Sequence, residues 1–256
     1  MSDFSEIIAR AAAFKGGRDR LEAALAETPA LPPAVIAATP DDRILAAMTR
    51  RIFYAGFSAK VIDAKWEAFE AAFDRFDPTA CAFVTEAQFD ALMRNGGIVR
   101  NGAKIRSVQV NAKLLLELAA DHGSAARSFA GWPDADYVGL LDLLKTRGSH
   151  LGGDAAMRFL RAIGKPAFIT TPDVVEALIA AGIIERAPGG KRDLATIQAA
   201  FNDWSRQSGR NLTEISRILA ISAEAARGGD ARTHSASGRH PRRAAEQVGK
   251  PRRAPR

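Results

Sequence analysis

Apolar residues recur along this chain at helical spacing, and no segment alternates convincingly at period two. Ile44, Leu45, Met48 and Ile52 form one stripe. Ile62, Trp66, Phe69 and Phe73 form a second, and Val175, Leu178, Ile179 and Ile183 a third. Leu194, Ile197, Phe201 and Trp204 share one side of a later helix, and Ile215, Ile218 and Leu219 mark the last. Helices are also predicted over 3–14, 18–27 and about 104–120. Breaks fall where glycine and proline stop helices: Gly16-Gly17, Pro32-Pro33, Asp77-Pro78, Asn95-Gly96-Gly97, Gly123-Ser124, Pro188-Gly189-Gly190 and Ser208-Gly209. Thr85 and Gln88 have the spacing of a capping box. Asp41 or Asp42, Asp193, and Asn211 or Thr213 are expected caps, and Pro172 opens its helix. The pattern predicts an all-α fold of about ten helices with short connections. There is no solenoid repeat.

The stretch 139–164 organises this pattern. Leu140, Leu141, Leu143 and Leu144 give an apolar face that Lys145 and Arg147 close, and Gly148 stands where a C-cap glycine belongs. Asp154 is the expected N-cap of a second helix carrying Ala156, Phe159, Leu160 and Ile163. Between them lie Ser149, His150, Leu151, Gly152 and Gly153. Glycines let backbone N–H groups approach a ligand, and the following helix N-terminus offers free donors and a positive partial charge. A phosphate suits this arrangement. An ordinary helical hairpin with a glycine turn fits it equally.

Composition narrows the chemistry. The chain has 256 residues, 47% of them hydrophobic, which is ample for a core. Cys81 is the single cysteine, so no internal disulfide forms, and four histidines leave few zinc ligands. No metal and no cofactor are expected. The N-terminus is not a signal peptide, and no stretch approaches a membrane span, so a cytoplasmic monomer without membrane contact is expected. The net charge of +7 belongs to Arg227–Arg256, where nine basic residues face Asp230 and Glu246; residues 1–226 are formally neutral. This tail, rich in Arg, Pro, Gly and Ala, is expected to be disordered. It is either a plain solvated terminus or a salt-sensitive tether to a phosphate backbone. The expected organisation is an N-terminal helical extension (1–40), a main domain (41–225) and the basic tail (226–256).

Several stretches resemble the DNA-3-methyladenine glycosylase I family of the helix-hairpin-helix DNA glycosylase superfamily. Gly97-Ile98-Val99-Arg100-Asn101, followed by Lys104-Ile105 and Asn111-Ala112, is similar to that family's G-I-I-R-N-x-x-K-I and N-A. Tyr54-Ala55-Gly56-Phe57-Ser58 resembles Q-A-G-L-S. Lys65-Trp66-Glu67-Ala68-Phe69, continuing to Phe76-Asp77-Pro78, resembles K-R-E-x-F and F-D-P. Leu144-Lys145-Thr146-Arg147-Gly148 resembles L-K-K-R-G, the start of the family's DNA-binding hairpin. The matches run in order through roughly 41–183. They imply a multi-helix, helix-hairpin-helix glycosylase-like fold, duplex DNA as partner, and base excision: a modified base is flipped into a pocket and its N-glycosidic bond is hydrolysed. The hairpin then holds phosphate without reading sequence.

Departures from the family pattern bear on the pocket. The family's base-recognising Glu falls at Arg51, its stacking Trp at Ala59 and its Gln at Tyr54. An Arg repels a cationic purine, and Ala cannot stack. The family's zinc ligands are missing, with Asp173 at the position of one zinc-binding His. A relative that binds DNA or a lesion without excising it is therefore the alternative function. Asp173 is the candidate catalytic carboxylate, or else a helix N-terminal stabiliser. Tyr54, Phe57, Arg51 and Trp132 are the expected base pocket. Phe53 and Phe57 equally suit core packing, and Trp132 suits a lid over the core. Arg100, Lys104, Lys145, Arg147, Gly148, Ser149, His150, Gly152 and Gly153 are the expected DNA contacts, although Arg100 could tie its turn to the body and His150 could simply face solvent.

Overall fold

The computed structural model describes residues 3–237, with side chains through Arg227. Among these there is no strand, so the all-α expectation is borne out. In order the helices are α1 (Phe4–Lys15), α2 (Arg18–Ala26), α3 (Pro33–Ala37), α4 (Asp41–Tyr54), α5 (Ala59–Ala64), α6 (Trp66–Ala72), α7 (Pro78–Ala82), α8 (Glu86–Arg94) and α9 (Gly102–His122). They continue with α10 (Ala125–Gly131), α11 (Tyr137–Arg147), α12 (Asp154–Ala162), α13 (Pro172–Ala180), α14 (Lys191–Ser208) and α15 (Leu212–Ser237). The number exceeds the expected ten because short helices occupy stretches read as linkers. Proline at its first position starts α3, and Ser124 and Asp41 start α10. Lys65 divides α5 from α6.

Caps explain where these helices begin. Thr85 and Gln88 form the expected capping box on α8, and Asn211 Oδ1 accepts from the N–H groups of Thr213 and Glu214 at the start of α15. Asp41 differs from expectation. Pro40 holds the N-cap position of α4, and the Asp41 carboxylate instead accepts from the N–H groups of Ala125 and Ala126, both at 3.0 Å. One acidic side chain thus ties α4 to the N-terminus of α10, where the helix dipole favours it. Asp193 lies inside α14 rather than capping it, and its carboxylate accepts from Gly189 N–H at 2.7 Å.

One contiguous core runs from Phe4 to Ala223. The segment read as an N-terminal extension contributes to it: α1 packs on α15, and Phe4 stacks on Trp204 with ring centroids 5.2 Å apart. A second aromatic run links Phe53, Phe69, Trp66, Phe73 and Phe76 beneath α4. Ala167, Phe168 and Ile169 cross the core between α12 and α13 in non-helical conformation. Their backbone needs partners there. Thr213 and Ser216 of α15 accept from Ala167 and Ile169, and the Tyr137 hydroxyl donates to Phe168 O. The α15 backbone continues past Ala226, where the basic tail was expected to begin, as far as Ser237. The rest of that tail lies outside the described residues.

Candidate functional site

The loop between α11 and α12 is held from both sides. Gly148 is the C-cap of α11, but its φ of −88° is not left-handed. Glycine is required there for space, since a Cβ would lie 2.6 Å from Leu144 O and 3.0 Å from Leu151. Next along the chain, Ser149 is clamped by Asn111 of α9. The buried amide donates to Ser149 O at 3.1 Å and accepts from Ser149 N–H at 2.8 Å. His150 follows at φ 59°, its ring nitrogen 3.1 Å from Ser149 Oγ. Gly153, at φ 54°, is the N-cap of α12, and no side chain caps that helix. Asp154 was the expected cap. It is instead the first helical residue, and its carboxylate turns along the helix to accept from Arg158 Nε at 2.6 Å. The N–H groups of the first turn of α12 are thereby left for an external acceptor.

Beside this loop opens a cleft of about 650 Å³. One wall is the end of α4 and the turn after it: Arg51, Ile52, Tyr54, Ala55 and Ala59. The other is the hairpin: His150, Gly152, Asp154, Ala155 and Arg158, with Lys104 of α9 also lining the space. Lys104 Nζ donates to Ile52 O at 2.6 Å and to Ala55 O, which closes the C-terminal end of α4. It also lies 5.0 Å from the Phe57 ring centre, and burial moves its pKa below the usual lysine value. Tyr54 donates its hydroxyl to Asp63, and burial, with that carboxylate, pushes its pKa up. Over the Tyr54 ring, 5.3 Å from its centre, lies the Arg51 guanidinium. The Arg51 side chain makes no hydrogen bond or ion pair with any described residue, while its carbonyl accepts from Ala55 N–H.

The structure brings together only some of the expected site residues. Arg51, Tyr54, Lys104, His150 and Gly152 share the cleft. Phe53 is fully buried, and Phe57 stacks on it at 6.5 Å outside the cleft lining, as core packing requires. Trp132 also lies outside the lining. Its Nε1 donates to Asp136 O, and its carbonyl accepts from buried Lys165, so it closes over the core. Asp173 does not reach the cleft either. It is in the first turn of α13 and pairs with Arg227 of α15 at 2.7 Å. Arg147 pairs with Glu117 at 2.8 Å. Arg100 and Lys145 are exposed without a polar partner among the described residues, and Lys145 and Gly153 line a smaller cavity of about 220 Å³ beside Lys191.

Three contributors were not identified as such from the sequence. In the sequence Asn111 stands only within the N-A motif. Asp154 and Arg158 stand at the i, i+4 spacing of a helix ion pair, a signal that was present. A zinc centre does not fit these residues. Asp173 is engaged by Arg227, the Cys81 thiol is buried with its pKa pushed up to about 12, and no group of three or more His, Cys, Asp or Glu could hold a metal among the described residues.

Comparison with known proteins bears on this arrangement. Residues 36–136 match the methyladenine glycosylase family model. A "DNA-3-methyladenine glycosylase" from Haemophilus influenzae is 38% identical over 64 residues, 25% of this chain and 35% of that protein. The match thus spans about a third of the relative's length. Among solved structures, 3-methyladenine DNA glycosylase I in complex with 3-methyladenine is 23% identical, covering 54% of this chain and 81% of that one, with a TM-score of 0.45. A mutant of 3-methyladenine DNA glycosylase I from Staphylococcus aureus is 23% identical, covering 60% and 90%, with a TM-score of 0.42. The resemblance to the DNA-3-methyladenine glycosylase I family is borne out. The family model ends before α11, so the hairpin lies outside it.

Proposed function

We propose that this protein is a base-excision repair glycosylase: it binds duplex DNA through the α11–α12 hairpin, flips a modified base into the adjacent cleft, and hydrolyses its N-glycosidic bond. The observation carrying this reading is the single cleft lined on one side by the hairpin residues His150, Gly152 and Asp154 and on the other by Arg51 and Tyr54. A phosphate held at the uncapped start of α12 would leave its nucleotide beside the cleft. Hydrolysis breaks the C1′–N bond, with the electron pair leaving on the base. Water supplies the new C1′–O bond and loses a proton. Asp154 is the carboxylate in reach of that space, suited to stabilise the sugar cation or take the proton.

A specific observation favours the alternative, a DNA-binding relative without excision. Arg51 and Ala59 stand where the family resemblance implies Glu and Trp, and Asp154 is already paired with Arg158. The discriminating experiment incubates the full chain with duplexes that each hold one modified base, and scores strand scission after alkali. Release from at least one duplex, lost in Asp154→Asn with salt-sensitive binding retained, supports the glycosylase. Salt-sensitive binding with no release from any duplex supports the alternative. No binding in either variant rejects both.

A further inference from the structure

We infer that the cleft takes an uncharged base bearing a carbonyl group, as deamination or oxidation produces, and that Arg51 is the residue that selects it; this rests on the glycosylase reading above. The argument starts from which polar groups in the cleft are already engaged. Lys104 is occupied by the carbonyls of Ile52 and Ala55. Asp154 accepts from Arg158 Nε at 2.6 Å, the Tyr54 hydroxyl is directed to Asp63, and His150 meets Ser149 Oγ through Nδ1. The Arg51 side chain has no such partner: it is half-buried, lies over the Tyr54 ring, and its N–H donors meet no acceptor among the described residues. A guanidinium donates to a carbonyl oxygen, and does so in bidentate fashion where a ring-nitrogen acceptor stands beside it, as on the O6/N7 edge of hypoxanthine.

Charge points the same way. Arg51, Lys104 and Arg158 line the cleft against one carboxylate, which is internally paired. A cationic methylated purine would enter a cleft with excess positive charge, whose one lining carboxylate is paired with Arg158. The chemistry agrees with the electrostatics. A cationic purine leaves as a neutral molecule and needs little help. A neutral keto base carries the C1′–N electron pair away as an anion, with charge on its ring and carbonyl oxygen. A fixed guanidinium beside that oxygen stabilises this charge as it develops, and the anion afterwards takes a proton from solvent.

The test uses duplexes of one sequence carrying hypoxanthine, uracil, 8-oxoguanine or a cationic methylated purine. Wild type, Arg51→Met and Arg51→Glu full chains are compared, each with its melting curve as a check on folding. Base release is followed in single turnover and duplex binding by anisotropy. The expected result is release of a keto base in preference to the methylated purine. Arg51→Met should slow that release by about a hundredfold while changing affinity for unmodified duplex by no more than about twofold. Arg51→Glu should turn the preference toward the methylated purine. Faster release of the methylated purine by wild type overturns the inference. So does an equal loss of unmodified-duplex binding in Arg51→Met, which would make Arg51 a phosphate contact. If no base is released from any duplex, excision itself has failed. The inference then stands only on an Arg51-dependent binding preference for keto-bearing duplexes, and falls without one.

Discussion

The side-chain amide of Asn111 pairs with both backbone polar groups of Ser149, donating to its carbonyl at 3.1 Å and accepting from its N–H at 2.8 Å. Asn111 is fully buried in α9, and Ser149 opens the hairpin loop. A residue on a long, well-packed helix thus fixes the loop whose following residues, His150 and Gly152, line the cleft. Removing the amide would leave a donor and an acceptor of the part-buried Ser149 backbone without partners, at a cost of about 1–3 kcal/mol. Asn111→Ala is therefore expected to lower the melting temperature and to speed amide exchange at His150 and Gly152 more than in α9 itself. Unchanged exchange at those amides would count against Asn111 as the residue that positions the loop.

The two hairpin glycines should separate stability from binding. A Cβ on Gly148 would meet Leu144 O at 2.6 Å, whereas the nearest atom to a Cβ on Gly152 is Lys145 Cγ at 4.0 Å. Gly148→Ala is expected to destabilise the fold by about 1–3 kcal/mol, the range for forced overpacking. Gly152→Ala should leave the denaturation midpoint unchanged. If the loop carries phosphate, it should still weaken duplex affinity, because a methyl group keeps the backbone donors farther from the ligand. Parallel denaturant melts and DNA titrations of the two variants would separate the effects.

The contrast between these glycines shows what sequence could and could not convey. Helical stripes such as Leu194, Ile197, Phe201 and Trp204 were legible because burial of one face imposes its own period. The Thr85–Gln88 capping box was legible because both partners lie within one turn. Asp41, expected along with Asp42 as a cap of α4, lies in that helix but caps α10, because Ala125 and Ala126 are brought close only by tertiary packing. The same reason hid the role of Asn111. Asp173 looked attractive by its distance along the chain from the hairpin, but the direction of α13 and its packing on α15 turn it to Arg227. Of the expected base pocket, Arg51 and Tyr54 lie close together in the chain and share a cleft wall with Ala59, whereas Phe57 and Trp132 lie outside the lining because packing, not chain distance, places them.

Asp173 is expected to be dispensable for chemistry. Its carboxylate pairs with Arg227 at 2.7 Å, both side chains are well exposed, and neither lines the cleft. Exposed pairs of this kind contribute at most about 1 kcal/mol. Asp173→Asn should therefore shift the denaturation midpoint only slightly and leave any base-release rate within about twofold of wild type. A large drop in single-turnover release, with duplex affinity intact, would restore Asp173 as a catalytic group.

The acid sensitivity of the fold should trace in part to α2. Arg210, in the turn between α14 and α15, donates through both terminal nitrogens to the Glu22 carboxylate. That hydrogen bond holds Glu22 below its ordinary value of 4.5. A carboxyl group whose pKa is lower folded than unfolded stabilises the native state fully above the unfolded value, and that contribution is lost as pH falls through the folded value. Glu22 is partly exposed, so solvent screening limits the effect to about 1 kcal/mol or less. Glu22→Gln should accordingly be less stable than wild type at neutral pH, with the gap narrowing once the pH drops below 4.5 and closing under stronger acid. Denaturant melts of both proteins across that range provide the check. A gap that persists in acid would mean that Glu22 acts through packing of α2 rather than through its charge on Arg210.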